Sequence, residues 1–389
     1  MRGALIAMAA QPPQQYTHFR LIAYQVPTVV CLNKEDPRTK PTKNYTCIGL
    51  DPGSTLCDIV PDMPIGPVSN TDLKKRLLRL ARVVDLAYNL WHDNYGYDTN
   101  ERGVLNVFVV PEFYFRPASP AVGVATAYTS EVYNEFLSAI ASMFSNKKFE
   151  DWFFVCGTIV YKDFSILEGG EVIYNESVCV QGGSHSTLNR LCPVRKIHTS
   201  SYDEIDKDIQ SDRSKYSDVR QSMLDVDLDW RVLPHLGIGV EICLEHSMQV
   251  LRRARCILYA ANRDRSIGLQ VLTAGGMLIM SKGVAVNSGG CVFRNDGFYV
   301  SPRRSQVRCC IINGYTRPVP SVVPDYCDLP SDVNGYQEMN GYFINLHKDG
   351  SPDPPEVIQP PPNVLPVNGD TTFYRNQGIV FYGKIERVM

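Results

Sequence analysis

The chain has 389 residues, with 39 Lys+Arg against 41 Asp+Glu and a formal net charge of -2. At about 150 residues per domain this length allows two or three domains, or one large one with insertions. The near-zero charge excludes bulk electrostatic binding to nucleic acid or to a membrane surface, and 44% hydrophobic residues exclude disorder of the whole chain.

Residues 1–18 form an N-terminal segment whose start, Arg2 to Ala10, imitates a secretory signal with one cation and a short apolar stretch. That stretch sits at the lower length limit for such a signal, and a cytoplasmic protein is expected. No apolar run approaches the roughly 18 residues of a membrane span, so no membrane contact is expected. Twelve cysteines are spread along the chain without any C-x-x-C spacing. They read as buried thiols in a reducing compartment, with no metal site among them.

In chain order, the first strand is expected over 19–30 (FRLIAYQVPTVV), with Pro27 marking its end or a bulge. A polar loop follows from 33 to 70. Leu73, Leu77, Leu80, Val84, Ala87 and Leu90 recur at three and four and predict an amphipathic helix over 71–92, capped by Asn70 or Thr71. Residues 104–110 (VLNVFVV) predict a strand buried on both faces. A second helix is expected over 129–144, then strands over 152–161, 171–180 and 238–243. The stretch 202–229, with 9 Asp+Glu against 4 Lys+Arg, reads as a solvated loop or exposed helix. Later strands are expected over 271–280, 290–293, 307–312 and 378–384. This mixture is a layered α/β or α+β pattern rather than a bundle or an all-β sandwich. Beyond residue 315 the composition shifts, and seven of the fifteen residues 352–366 are proline. That segment predicts extended polyproline II, packed on the body or bound by a proline-recognising partner.

Phosphate-loop, zinc-helix and nucleophile-elbow serine motifs are absent. What stands out is Cys243, at the end of a strand and before a polar turn, where a nucleophile is readily presented. A small core thiol is the alternative for a cysteine taken alone. Glu112 ends the buried run VLNVFVV, where an unpartnered carboxylate would be costly. Lys196 follows strand-like sequence in the same way.

A Glu, a Lys and a Cys at three strand ends resemble the triad of the nitrilase superfamily of carbon–nitrogen hydrolases. Five short motifs match that family in order: LIAYQ closing at Gln25, Pro111-Glu112, Gly157-Thr158 with a later Tyr174-Asn175, Arg195-Lys196-Ile197-His198, and Gly239-Val240-Glu241-Ile242-Cys243. The resemblance covers residues 19–315 as one hydrolase domain, leaving 316–389 as a C-terminal extension. It implies a four-layer α-β-β-α sandwich. The chain departs from the family at Leu244-Glu245, where Tyr-Asp is usual and where true nitrilases carry Trp in place of Leu244. Spacing departs as well across 252–267.

The implied chemistry suits the residue types. A thiol near neutral pH is mostly protonated, so attack on an amide carbon needs a base and a nearby cation. Glu112 is the expected general base and Cys243 the nucleophile. Lys196 is expected to stabilise the oxyanion together with the backbone N–H of Leu244. Tyr114 is expected as a pocket wall, Glu204 as a second pocket glutamate, and His246 as a residue reaching the pocket from the first helical turn. Glu245 is expected to anchor that turn through backbone hydrogen bonds. No metal or organic cofactor is required.

The expected partner is a small-molecule amide or N-carbamoyl compound, with a homodimer implied by analogy. Alternatives are a nitrile-hydrolysing member, a papain-like thiol hydrolase using His198, His235 or His246, and a non-catalytic binding protein that retains the fold. The papain-like reading leaves Glu112 and Lys196 unexplained, and the non-catalytic reading leaves an intact triad unexplained.

Overall fold

A computed structural model of the chain describes residues 16–31, 45–47, 63–95, 101, 103–117, 126–165, 169–183, 191–198, 232–233, 236–260, 267–286, 289–298, 305–311, 335–339, 341–345, 356–357 and 377–387. In chain order come β1 (His18–Gln25), β2 (Val29–Cys31), β3 (Tyr45–Cys47), α1 (Thr71–Tyr95), β4 (Val104–Val110), β5 (Tyr128–Thr129) and α2 (Ser130–Met143). Next are β6 (Trp152–Ser165), β7 (Gly170–Gln181), β8 (Leu191–Arg195), β9 (Val232–Leu233) and β10 (Ile238–Ile242). The single turn α3 (Leu244–Ser247) and α4 (Val250–Ala260) lead to β11 (Leu269–Ala274), β12 (Cys291–Asp296) and β13 (Ser305–Ile311). The last strands are β14 (Gly335–Glu338), β15 (Gly341–Asn345), β16 (Glu356–Val357) and β17 (Gly378–Glu386).

The fold is mixed α/β with two large sheets. One runs β16-β15-β17-β1-β4-β6-β7-β8, with β5 paired to β6; the other runs β14-β13-β12-β11-β10-β9. β1, β4 and β6 are parallel, as are β10, β11 and β12. Parallel neighbours need a crossover. α1 lies in the connection from β1 to β4, α2 in that from β4 to β6, and α4 in that from β10 to β11.

Alternation along the strands sorts side chains between two cores. Ile22, Tyr24, Phe108, Val110, Trp152 and Phe154 point to the side covered by α1 and α2. Leu21, Ala23, Leu105, Val107, Val109 and Phe153 point the other way, into a cluster with Ile238, Val240, Ile242, Val271, Phe293 and Val307 of the second sheet. β4 is buried along its whole length, as its unbroken apolar run predicts. Leu251 of α4 joins Ile267 and Val292 in a further cluster.

The first strand stops before Pro27, and the expected cap of α1 is formed by Asn70, whose Oδ1 accepts from Leu73 N–H at 2.9 Å. The strand expected over 271–280 ends at Ala274, because Gly275 and Gly276 follow it and Gly276 takes a φ of 108°. The segment expected as an extension also enters the body. β15, β16 and β17 belong to the first sheet, with β17 directly beside β1. Residues 202–229 and most of 352–366 lie outside the described residues.

Candidate active site

Glu112 stands two residues past β4, beside a bulge in β6. The register of β6 on β7 shifts between Val155 and Thr158, and Gly157, within the shift, has a φ of 72°. A Cβ at Gly157 would lie 2.5 Å from the carbonyl oxygen of Pro111, so only glycine allows this approach. Thr158 then secures the segment around Glu112. Its Oγ1 accepts from Phe113 N–H at 2.8 Å, and its carbonyl accepts from Phe115 N–H at 3.0 Å.

The Glu112 side chain is fully buried. Its Oε1 accepts from Lys196 Nζ at 2.7 Å and from Asn175 Nδ2 at 2.9 Å. Oε2 faces the turn after β11, where a Cβ at Gly275 would come within 3.0 Å of it. Lys196 directly follows β8, and its backbone N–H donates to Asn175 O at 2.8 Å. The Asn175 position therefore holds both members of the ion pair, one through its side chain and the other through its carbonyl. The Lys196 ammonium also lies 5.7 Å from the centroid of the Phe113 ring. Beside it, the Arg195 Nε–H donates to Glu176 Oε2 at 3.1 Å, and the guanidinium stacks 4.1 Å from the Tyr174 ring centroid.

Cys243 is the residue between β10 and α3, buried, with φ 47° and ψ -109°. Among the described residues only Phe113, Cys243 and Gln249 are non-glycine residues with positive φ. Such backbone costs about 1–3 kcal/mol per residue and persists where surroundings over-determine it. Two of the three thus flank or form the positions singled out by sequence.

Two hydrogen-bond links join Cys243 to the Glu112–Lys196 pair. The Glu245 carboxylate accepts from Ile242 N–H through Oε2 at 3.0 Å and from Ile197 N–H through Oε1 at 2.7 Å. One buried side chain thereby clips the residue before Cys243 to the residue after Lys196. The second link crosses the sheets. Cys243 N–H donates to Thr273 O at 2.9 Å, and Thr273 Oγ1 donates to Val110 O at 3.0 Å, two residues before Glu112. The expected anchoring of the turn by Glu245 is present, with the bond to Ile197 in addition.

The remaining expected residues are Tyr114, His246, Leu244 and Glu204. Tyr114, expected as a pocket wall, is fully buried. Its ring sits in the helix-side cluster, edge-on to Tyr24 and Phe115, and its hydroxyl donates to Arg76 O at 3.1 Å. His246 spends both ring nitrogens on protein groups. Nε2 accepts from Met280 N–H at 3.0 Å, which makes Nδ1 the protonated nitrogen, donating to Glu241 Oε2 at 2.9 Å. Glu241 also accepts from Leu251 N–H and Gln270 Nε2, both at 2.7 Å, so His246 belongs to a buried brace under α3 and α4. Leu244 opens α3, where the first N–H groups have no intrahelical acceptor. Glu204 lies outside the described residues. Phe113, which packs near the lysine, carries no sequence signal beyond its place next to Glu112.

No protein-family model and no curated protein matches the chain. Among solved structures it is similar to the crystal structure of Saccharomyces cerevisiae Nit3, a member of branch 10 of the nitrilase superfamily. The two share 12% identity over 83% of this chain and 88% of that one, with a TM-score of 0.33. A likeness of that degree assigns no residue a role. Among the described residues no helix is long and apolar enough to cross a membrane.

Proposed function

We propose that the protein is a thiol-dependent hydrolase of nitrilase type, cleaving a non-peptide carbon–nitrogen bond through an acyl-enzyme on Cys243. In this reading the two sheets and their flanking helices form the four-layer α-β-β-α sandwich of that superfamily. Glu112 takes the thiol proton as Cys243 attacks the amide or N-carbamoyl carbon. Lys196 and the Leu244 N–H stabilise the oxyanion. Collapse of the tetrahedral species expels the amine, which receives the proton from Glu112. Water, deprotonated by the same carboxylate, then hydrolyses the thioester.

The observation that carries this reading is the Glu245 clip. It holds the turn bearing Cys243 against the strand end bearing Lys196, and Lys196 is bonded to Glu112. A buried Glu–Lys pair alone has a purely structural explanation. Tied to a strained cysteine turn by a second buried carboxylate, it supports a base, a cation and a nucleophile acting together. No metal or organic cofactor takes part, and a small-molecule amide is the partner required.

The test is ammonia release from primary amides, N-carbamoyl amino acids and nitriles, with wild type beside Cys243→Ala. Turnover of one of the first two classes, lost in Cys243→Ala with unchanged thermal unfolding, is expected. Turnover of nitriles alone moves the protein to the nitrile-hydrolysing variant. Inertness toward all three classes, or a fully active Cys243→Ala, overturns the proposal. Self-association as a homodimer belongs to the same reading, and light scattering of a strict monomer at high concentration removes it.

A further inference from the structure

The second sheet carries two cysteines directly across from each other. Cys291 opens β12 and Cys309 lies in β13, and the antiparallel register makes them Cα partners. The direction of the backbone groups decides how close their side chains come. Cys291 N–H donates to Gly268 O at 2.9 Å, beside the start of β11 and on the side of β12 away from β13. On β13, Val307 O accepts from Met339 N–H at 3.1 Å, beside β14; Cys309, two residues on, shares that orientation. Cys291 and Cys309 are therefore a non-hydrogen-bonded pair, the kind whose Cα atoms lie about 4.5 Å apart with side chains closest. Disulfides require Cα separations of roughly 4.4–6.8 Å and Cβ separations of roughly 3.5–4.5 Å. Both residues are thiols in this structure, both face the cluster between the sheets, and Cys309 is half-buried while Cys291 is buried.

The chain supplies its own control. Cys179 and Cys192 are also Cα partners, on β7 and β8. There, Lys196 N–H donates to Asn175 O, and Cys192 and Cys179 are each four residues along from those groups. That parity makes them a hydrogen-bonded pair, with the side chains farther apart. Pro193, the next residue, fills the alternate position, where no ladder N–H is needed.

We propose that Cys291 and Cys309 form a reversible oxidation site that reacts with low-molecular-weight disulfides. The accessible Cys309 thiolate attacks one sulfur of the external disulfide, forming a mixed disulfide and releasing one thiolate. Cys291 then gives up its proton and attacks the Cys309 sulfur, releasing the second small thiol and closing the cross-strand bond. The external disulfide is reduced to two thiols while the two cysteines are oxidised to one disulfide. The hydrogen bond from Cys291 supports the order of events, since it lowers the Cys309 thiol below its ordinary range against the opposing effect of burial.

The experiment incubates the native full chain with oxidised glutathione, then alkylates, digests without reductant and maps the cross-links. The Cys243→Ala chain is treated in parallel to remove that thiol from competition. The expected result is a Cys291–Cys309 linked peptide, a loss of two alkylatable thiols and of about 2 Da per chain, reversed by dithiothreitol. No Cys179–Cys192 link accompanies it. In Cys291→Ser the glutathione is expected to remain on Cys309. Wild-type chain with Cys291 and Cys309 still fully alkylatable after excess oxidised glutathione overturns the proposal. So does glutathione remaining on wild-type Cys309, or cross-linking of Cys179 to Cys192 as readily as of Cys291 to Cys309.

Discussion

Glu112 and Lys196 place both charged heads out of solvent, 2.7 Å apart. Removing one partner of such a pair leaves a buried charge uncompensated and costs about 3–5 kcal/mol. Lys196→Met is therefore expected to lose that order of stability in urea unfolding, and adding Glu112→Gln should restore much of it. Lys196→Arg tests the proposed chemistry instead. It keeps the charge, but a planar guanidinium does not sit where the ammonium does. Turnover on whichever amide proves active should fall about 100- to 1000-fold with folding intact; near wild-type turnover would reassign the lysine. Three other cysteines provide a contrast in reactivity. Burial raises the thiols of Cys156 and Cys179 well above their ordinary range and pushes Cys192 up to about 11. All three stay protonated near neutral pH, so iodoacetamide should leave them unmodified in the native chain, as peptide mapping would show. Glu112 was legible in sequence because a carboxylate closing a fully apolar strand needs a partner. The direction of the Tyr114 ring, into the helix-side cluster, was not. Alternation would return residue 114 to the face of 112, but Phe113 has a φ of 63° and breaks that alternation.

Single elements show how far pattern alone reaches. The three-and-four spacing of Leu73 to Leu90 marks α1, and the unbroken run 104–110 marks β4, because burial dictates side-chain identity in both. β9 and β16 have two residues each, and β14 has four, too few for a period to emerge. The turn carrying Cys243 was legible from its polar residues after an apolar strand, whereas the bond that Ile197 N–H donates to Glu245 spans 48 positions and no local rule encodes it. Glu245→Gln tests this clip. Glutamine offers one acceptor oxygen to two backbone N–H groups, so one buried donor loses its partner at a cost of about 1–3 kcal/mol. Thermal unfolding should report that loss, and an unchanged midpoint would show that the clip carries no weight. Gly157→Ala probes the bulge in β6. The added methyl meets the Pro111 carbonyl at 2.5 Å and the backbone must give way. A lower unfolding midpoint is expected, with the segment around Glu112 displaced.

Across the whole molecule, Glu101 ties distant strands together. It accepts from Arg20 of β1 at 2.5 and 3.0 Å and pairs with Lys384 of β17 at 2.9 Å. Burial alone would raise its carboxyl, but the hydrogen bonds from Arg20 and Lys384 outweigh that and hold it below the ordinary glutamate range. A carboxylate with a lowered folded pKa stabilises above its unfolded pKa, and that stabilisation is lost as pH falls through the folded one. Glu101→Gln should therefore unfold at lower temperature than wild type near neutral pH, with the gap closing below about pH 4. A gap that persists into acid would assign the loss to packing instead. The sheet order was the least legible feature, since an apolar run such as 378–384 announces a strand without saying which neighbour it joins. That neighbour is β1, 353 positions upstream when counted from Gln25 to Gly378. The pairing has a temporal consequence. At about 5–20 residues per second of synthesis, the residues of β1 exist for roughly 20–70 s before those of β17 are made. Until then β1 has β4 on one side and an unfilled ladder on the other. A nascent chain in that interval presents a bare apolar sheet edge to every other ribosome product nearby, which makes translation speed across residues 25–378 a determinant of yield.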